Sequence, residues 1–451
     1  MRSLIRSIKY SVLCLLCAGW FGAATAQAQG LIRDTEIETN IRKMSTPIFQ
    51  QAGLNPQDVR LAIIGDSAIN AFVAGGQNIF LFTGLILDTQ DIGELLGVIA
   101  HETGHITGGH LVRSRQNMET ASMESILGTL AGIAAGVAAG DAGAGMATIA
   151  AGQHMAVTNF LTHSRTYESS ADQAGLSFLE AAGYSAEGNA RFLGRLANQE
   201  MLPELQRSQY MLTHPLSRQR LDTVENFVAR SRVGTKPYPE SFQIMHARIK
   251  AKILGFTFPQ QALRNYADKK DWPSRYGYAI ALYRTGKIND ALALLKTLEK
   301  EQPQDPYVIE LQGQILFENG RIAESIPSYE RAVSMAPQGG LIRIALAHAY
   351  LETRQDKNLT LAIDQLNRAK QTENRTPLLY RWLATAYGRQ GQEGQAKLAL
   401  AEEALLKRDN GFAIAQAQAA EKLLPQSNQA GRQRARDIIQ LAQQYQRQKK
   451  R

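Results

Sequence analysis

His101 and His105 stand four residues apart, with Glu102 beside the first, in the string His101-Glu102-Thr103-Gly104-His105. On a helix that spacing puts both imidazoles on one face, about one turn apart, in reach of a single divalent cation. A carboxylate next to the first histidine can take a proton from a water that the cation polarises. The chemistry implied is metal-assisted hydrolysis, and a His/His/Glu donor set favours Zn²⁺. Short patterns of this kind also arise by chance in helices, so the surrounding sequence has to support the reading.

A third ligand must come from elsewhere. Gly108 follows His105 by three, as in the metzincins, but that pattern places its histidine at 111, which is Leu111. If the helix continues, His110 points well away from His105 and reads as a structural or surface residue. Glu168 is the better candidate. It opens the string Glu168-Ser169-Ser170-Ala171-Asp172, which places two carboxylates on one face of a second helix. One can bind the cation while the other supports a ligand histidine or handles a proton. His154 and His163 read as ordinary helix or loop histidines. His246 and His348 lie far from the motif in sequence.

The elements that must position these groups can be read from periodicity. Thr35 to Gln51 carries Ile37, Ile41, Met44 and Ile48 near helical spacing. Arg60–Ile64, Ala71–Ala74 and Asn78–Phe82 are short β-like runs punctuated by Gly65-Asp66 and Gly75-Gly76, which predict a small antiparallel sheet. Ile79, Phe80, Leu81 and Phe82 form the last strand before the metal helix. They are the expected edge for an extended peptide substrate, unless the strand is a fully paired inner one. Asp91 with Glu94 opens the metal helix as a capping box, and Leu95, Val98 and Ile99 supply its buried face. A helix around Tyr167 to Ala181 holds Glu168 and Asp172, and helical pattern runs on to about Arg232. Pro237 and Pro239 then mark a linker.

Beyond the linker the chain repeats. Ala279, Leu282, Gly286, Ala291, Leu295 and Pro303 recur 34 residues later as Gly313, Leu316, Gly320, Ser325, Tyr329 and Pro337. A third unit keeps Ala347, Tyr350, Ala362 and Leu366, with a small insertion around Asp356. A fourth keeps Ala384, Tyr387, Gly391, Ala396 and Leu400. Small residues let paired helices approach, larger ones fill the gap, and proline ends the second helix. The pattern resembles the tetratricopeptide repeat, which implies either an α-solenoid spacer or a concave surface for protein partners.

The strings around the two histidines, Arg165 to Asp172 and Thr213-His214-Pro215-Leu216 together resemble the gluzincin metalloproteases, the group that includes the HtpX-like and CAAX-prenyl proteases. The Asn70-Ala71-Phe72 turn and the strand after it are similar too. This resemblance covers about residues 35 to 230. It implies that His101, His105 and Glu168 bind zinc. It also implies that Glu102 is the catalytic base and Asp172 a proton donor or a supporting carboxylate. The histidine of the His-Pro string, here His214, can fill the fourth zinc position in such proteases and hold the enzyme off. The whole chain is similar to periplasmic members of the group from Gram-negative bacteria that serve outer-membrane β-barrel assembly. The partners so implied are unfolded or stalled barrel proteins, with the assembly machinery engaged through the repeats.

Composition sets the remaining bounds. Residues 1–28 read as a cleavable signal, with Arg2, Arg6 and Lys9 ahead of an apolar run and two A-x-A sites behind it. Both cysteines, Cys14 and Cys17, fall inside it. The expected divisions are 1–28 signal, 29–235 zinc metalloprotease domain and 240–451 repeat domain. The expected fold is mostly α, an α+β zincin domain followed by an α-solenoid. Gly- and Ala-rich residues 126–151 read as a buried hairpin rather than a membrane span. The net charge is +9, part of it in the last twenty residues. That tail reads as a solvated basic helix, with anionic lipid as the alternative contact. No basic-aromatic motif for nucleic acid is visible. Two functional classes stay open: an active secreted endopeptidase with a docking domain, and a chaperone or scaffold whose metal site is vestigial or capped.

Overall fold

A computed structural model describes residues 30–110, 165–198 and 208–449. The expected signal with Cys14 and Cys17, the hairpin at 126–151, His154 and His163 lie outside the described residues.

The chain opens with β1 (Leu31–Ile32) and α1 (Thr35–Gln51), the latter started by the Asp34 side chain accepting from the Ile37 N–H. Ile37, Ile41, Met44 and Ile48 are buried, as their spacing requires. Strands β2 (Arg60–Ile64), β3 (Ala71–Ala74) and β4 (Asn78–Phe82) follow. They form one sheet in the order β1-β2-β4-β3. The sheet is mixed, which corrects the antiparallel expectation. β2 and β4 run parallel, while β1/β2 and β3/β4 are antiparallel. The reason is the hairpin between β3 and β4. It turns at Gly75-Gly76, where both residues hold positive φ, and folds back so that β4 lies beside β2.

That arrangement also corrects the substrate-edge expectation. Ile79, Phe80, Leu81 and Phe82 sit on an inner strand with a partner on each side, and the outer edge on the β4 side belongs to Ala71–Ala74, the other edge being the short β1. An apolar run with Ile79 and Leu81 fully buried is what an inner strand requires.

Two short steps lead to the site: α2 (Thr83–Asp88) and α3 (Ile92–Thr107). Asp91 caps α3 by accepting from the Glu94 N–H, and the Glu94 carboxylate accepts from the Gln90 N–H. α4 (Arg165–Ala181) packs across α3, and α5 (Glu187–Ala197), α6 (Gln209–Thr213) and α7 (Arg218–Arg230) close the layer.

The loop with Pro237 and Pro239 leads into α8 (Glu240–Thr257), which belongs to two cores at once. Ile249 and Ile253 of α8 pack in the same apolar cluster as α1, the sheet and α3. Its Lys252 Nζ lies 2.7 Å from Asp34 and 3.2 Å from Glu36, and Arg248 pairs with Glu36 and with Asp305 further along. Tyr276 donates to Glu36 at 2.9 Å.

After α9 (Pro259–Tyr266) the helices come in pairs. These are α10 (Trp272–Arg284) with α11 (Ile288–Glu301), and α12 (Pro306–Glu318) with α13 (Ile322–Met335). α14 (Gly340–Glu352) pairs with α15 (Lys357–Glu373), and α16 (Pro377–Arg389) with α17 (Glu393–Leu406). A fifth pair, α18 (Asn410–Leu423) and α19 (Gln429–Lys449), extends the stack past the four units visible in sequence. Arg33 ahead of α1 reaches across to Glu373 at 2.8 Å and to Thr376. In α19 Arg434 pairs with Glu402, and Arg432 donates to backbone carbonyls, so part of the basic tail is spent on packing. Among the described residues no helix is long and apolar enough to cross a membrane.

Candidate active site

α3 and α4 approach closely because small residues face each other. A Cβ on Gly104 would stand 2.5 Å from the Ala171 carbonyl oxygen, and one on Gly175 would stand 2.9 Å from the Ala100 carbonyl. This close crossing carries Glu168 to the two histidines of α3. The α6 segment brings His214 in from a third side.

His101, His105, Glu168 and His214 are all buried, and one donor atom from each lies within 4.8 Å of every other. The closest approaches are tighter. His101 Nε2 is 3.0 Å from His105 Nε2, 3.3 Å from His214 Nδ1 and 3.4 Å from Glu168. Glu168 lies 3.4 Å from His105 Nε2 and 3.2 Å from His214 Nδ1. Four donors bound tetrahedrally at the usual zinc distances stand about 3.3–3.4 Å apart. The donor set therefore fits one such ion.

Each imidazole is held from behind, which fixes the nitrogen it presents. His101 Nδ1 meets Asp172 at 2.8 Å. His214 Nε2 donates to the Ala71 carbonyl at 3.2 Å, leaving Nδ1 toward the cluster. His105 Nδ1 meets His110 Nδ1 at 2.9 Å, and His110 Nε2 meets the Ser170 hydroxyl at 2.9 Å.

His110 thus does not point away from His105. α3 stops at Thr107, and Gly109 at φ +62° turns the chain back so that His110 returns beneath the site, stacked on Tyr167. The expectation assumed a helix that continued. Arg220 is a second residue that the sequence reading passed over. It donates to Asp172 at 2.6 and 2.9 Å and pairs with Glu168 at 2.8 Å. Asp172 is therefore spent on His101 and Arg220, on the side of His101 away from the other donors.

The electrostatics favour positive charge at the centre. Burial opposes the Glu168 charge, yet His214, His101 and His105 outweigh it and hold the carboxyl well below its usual range. Burial likewise opposes a charged His101, but Asp172 and Glu168 outweigh it and push the imidazole up to about 10. Surroundings that retain a proton so firmly equally favour a metal cation in its place. Glu102 differs. Burial pushes its carboxyl up, against His214 and His101, and neither oxygen has a hydrogen-bond partner among the described residues. His214 Nε2 is 3.4 Å away. A buried carboxyl with both oxygens unsatisfied is costly unless a reacting group is meant to meet it.

The outer edge of the sheet runs past this cluster. Asn70 turns its carbonyl to Phe82 on β4, so Ile69 and Ala71 turn theirs outward. The Tyr210 N–H takes the first at 2.9 Å and His214 the second.

Residues 32–228 match the model of peptidase family M48, and residues 260–315 match a tetratricopeptide repeat. The first of these parts is a metalloprotease domain similar to that family. All four clustered donors and Glu102 lie inside the M48 match. Over 390 residues the chain is 26% identical to the beta-barrel assembly-enhancing protease of Yersinia pestis, covering 83% of this chain and 77% of the relative. Over 395 residues it is 24% identical to the protein of that name from Escherichia coli (strain K12), covering 85% of this chain and 75% of the relative. Both alignments extend well past the M48 match into the repeats.

Proposed function

We propose that the chain is a zinc endopeptidase of the periplasm. Its clients are outer-membrane β-barrel proteins, which it helps to assemble or degrades when they stall, and its repeats hold the client or the assembly machinery. The names of the two relatives and the joint coverage of both domains support this reading. The observation that carries it is the convergence of His101, His105 and Glu168 beside the unsatisfied Glu102.

In this reading His101, His105 and Glu168 hold the zinc. The bound ion would polarise the peptide carbonyl and the attacking water. Glu102 accepts the proton of that water on a carboxylate oxygen and later returns it to the leaving amine. Asp172 orients His101 through Nδ1, and Arg220 fixes Asp172 and Glu168 relative to each other. An extended client pairs with the outer edge at Ala71–Ala74. His214 stands in the way. It fills the fourth donor position and occupies the Ala71 carbonyl, so opening the metal and opening the edge are one movement.

That last observation also favours a second reading, a chaperone whose site is permanently capped. Casein turnover and metal content, measured on wild type, Glu102→Gln and His214→Ala, separate the two. The protease reading expects about one zinc per chain in all three. It expects loss of turnover by at least about 100-fold in Glu102→Gln, beyond the usual general-base contribution at its low end. It expects a rise in turnover in His214→Ala. Turnover that survives Glu102→Gln would sink it. No gain in His214→Ala would remove the latch and leave the rest standing.

A further inference from the structure

The chain carries its surplus charge in two short stretches. Of the net +9, Arg2, Arg6 and Lys9 supply three, with no acid in residues 1–28. Residues 429–451 hold seven Arg or Lys against one acid, Asp437, a surplus of six. Residues 29–428 therefore hold as many acids as bases. Beyond residue 28 the whole excess belongs to α19 and the two residues after it.

The start of α19 is neutralised by the fold. The helix packs back along α18, with Ala413, Ala417 and Ala420 against Ala435, Ile438 and Ala442. Arg434 pairs with Glu402 at 2.6 Å and Arg436 with Glu421 at 3.5 Å, while Arg432 donates to the Glu421 and Leu424 carbonyls. The far end differs. Arg447 is exposed, and Lys449, Lys450 and Arg451 follow in sequence with no acid among them. There the Arg408 guanidinium lies over the Tyr445 ring, 3.9 Å from its centroid. That contact brings the turn between α17 and α18 to the end of α19. Among the described residues neither Arg408 nor Arg447 pairs with a carboxylate. Asp409, the acid of that turn, accepts from the Phe412 N–H and so caps α18. Phe412 itself, in the first turn of α18, is 46% exposed.

We propose that this end of the repeat stack is a contact surface for an anionic bilayer face. Arg408, Arg447 and the three cations that follow meet lipid phosphate groups, and Phe412 enters the headgroup layer. Clustered Lys and Arg draw a segment to such a surface, each cation strengthening partition by about 5-fold. Charge alone would serve an acidic protein as well. A large apolar side chain standing in water beside the cations supplies the second signal that interfacial attachment uses.

Vesicle flotation of the full chain tests it, with phosphatidylcholine alone and phosphatidylcholine mixed with phosphatidylglycerol. The reading of the metal site does not enter. Anionic vesicles are expected to bind at least about 10-fold more strongly than neutral ones, and high salt to remove the preference. The substitutions Arg447→Gln, Lys449→Gln, Lys450→Gln and Arg451→Gln together are expected to cost at least about 10-fold on the anionic vesicles. Residues 1–28 are the same in both proteins, so the difference belongs to the tail. Phe412→Ser is expected to cost about 5- to 10-fold, for a ring partly withdrawn from water. Both are surface changes that leave the unfolding midpoint in place. Equal binding to the two vesicle types would overturn the proposal, as would wild-type binding by either variant. Tighter binding to polyglutamate than to the anionic vesicles would also overturn it, since the patch would then serve an acidic protein.

Discussion

His105 shows how much a single residue's surroundings decide. Its Nε2 faces the donor cluster, while its Nδ1 is held by His110, which rests on Ser170 and Tyr167. Replacing His110 by alanine removes that support without touching a donor. Metal affinity is expected to fall about 10- to 100-fold, the usual cost of losing such a partner. Competition with a chromophoric chelator reads it, and unchanged affinity would mean that His110 only fills space. A different histidine governs stability against pH. His246 lies buried against Thr89, and burial first and Lys250 second push its imidazole down to about 3 from 6.5. In the unfolded chain it regains its ordinary value. Below about pH 6.5 the unfolded state therefore binds the extra proton, and stability falls as pH drops from there toward 3. Urea midpoints of wild type and His246→Gln across that range should converge at low pH, the variant losing less. Parallel curves would exclude the histidine. His101 and His105 were legible because helical spacing puts both on one face, and Glu168 was legible as a candidate from its own string. Only the crossing of α3 and α4 brings the three together. His110 and Arg220 were not legible. The first depends on where a helix ends, and the second is one arginine among several on α7 until the fold brings it to Asp172.

Elements show the same division between local and non-local information. The helix start at Asp91 could be read directly, since a cap acts within a few residues. Strand order could not, because a run of apolar residues does not say which neighbours it will find. The repeats were visible through their period, including the glycines that end the first helix of each unit in the left-handed region: Gly286 at φ +83°, Gly320 at +74° and Gly391 at +74°. In the third unit that place falls to Arg354, which holds φ 55° without glycine's freedom. A non-glycine residue there costs roughly 1–2 kcal/mol, against which glycine's greater unfolded-state entropy offsets a part. Arg354→Gly is accordingly expected to stabilise the chain by about 0.5–1 kcal/mol. A thermal or denaturant midpoint that stays still or falls would show that the exposed arginine side chain contributes more than its backbone strain costs.

The molecule as a whole is joined more firmly than its sequence suggests. Glu36 of α1 is fully buried among Lys252, Arg248 and Tyr276. Burial opposes its charge, but the two cations and the tyrosine hold its carboxyl below the usual range. Glu36→Ala would leave Lys252 with Asp34 and Arg248 with Asp305, each deprived of half its compensation. The cost is expected near the low end for a broken buried pair, about 3 kcal/mol. Scanning calorimetry should also show one transition in wild type and two in the variant, as the peptidase and repeat parts melt separately. A single transition with an unchanged midpoint would count against this junction. Prolines at 237 and 239 mark a change of composition, and they correctly signal a loop. They carry no information on the packing of the helix that follows.

That helix limits how the chain can be taken apart. α8 supplies Ile249 and Ile253 to the same apolar cluster as α1 and α3. Truncation at the proline loop would strip the catalytic half of part of its interior. A peptidase fragment that keeps this apolar interior whole therefore has to include α8, and any foreign docking module grafted onto it must be spliced after that helix.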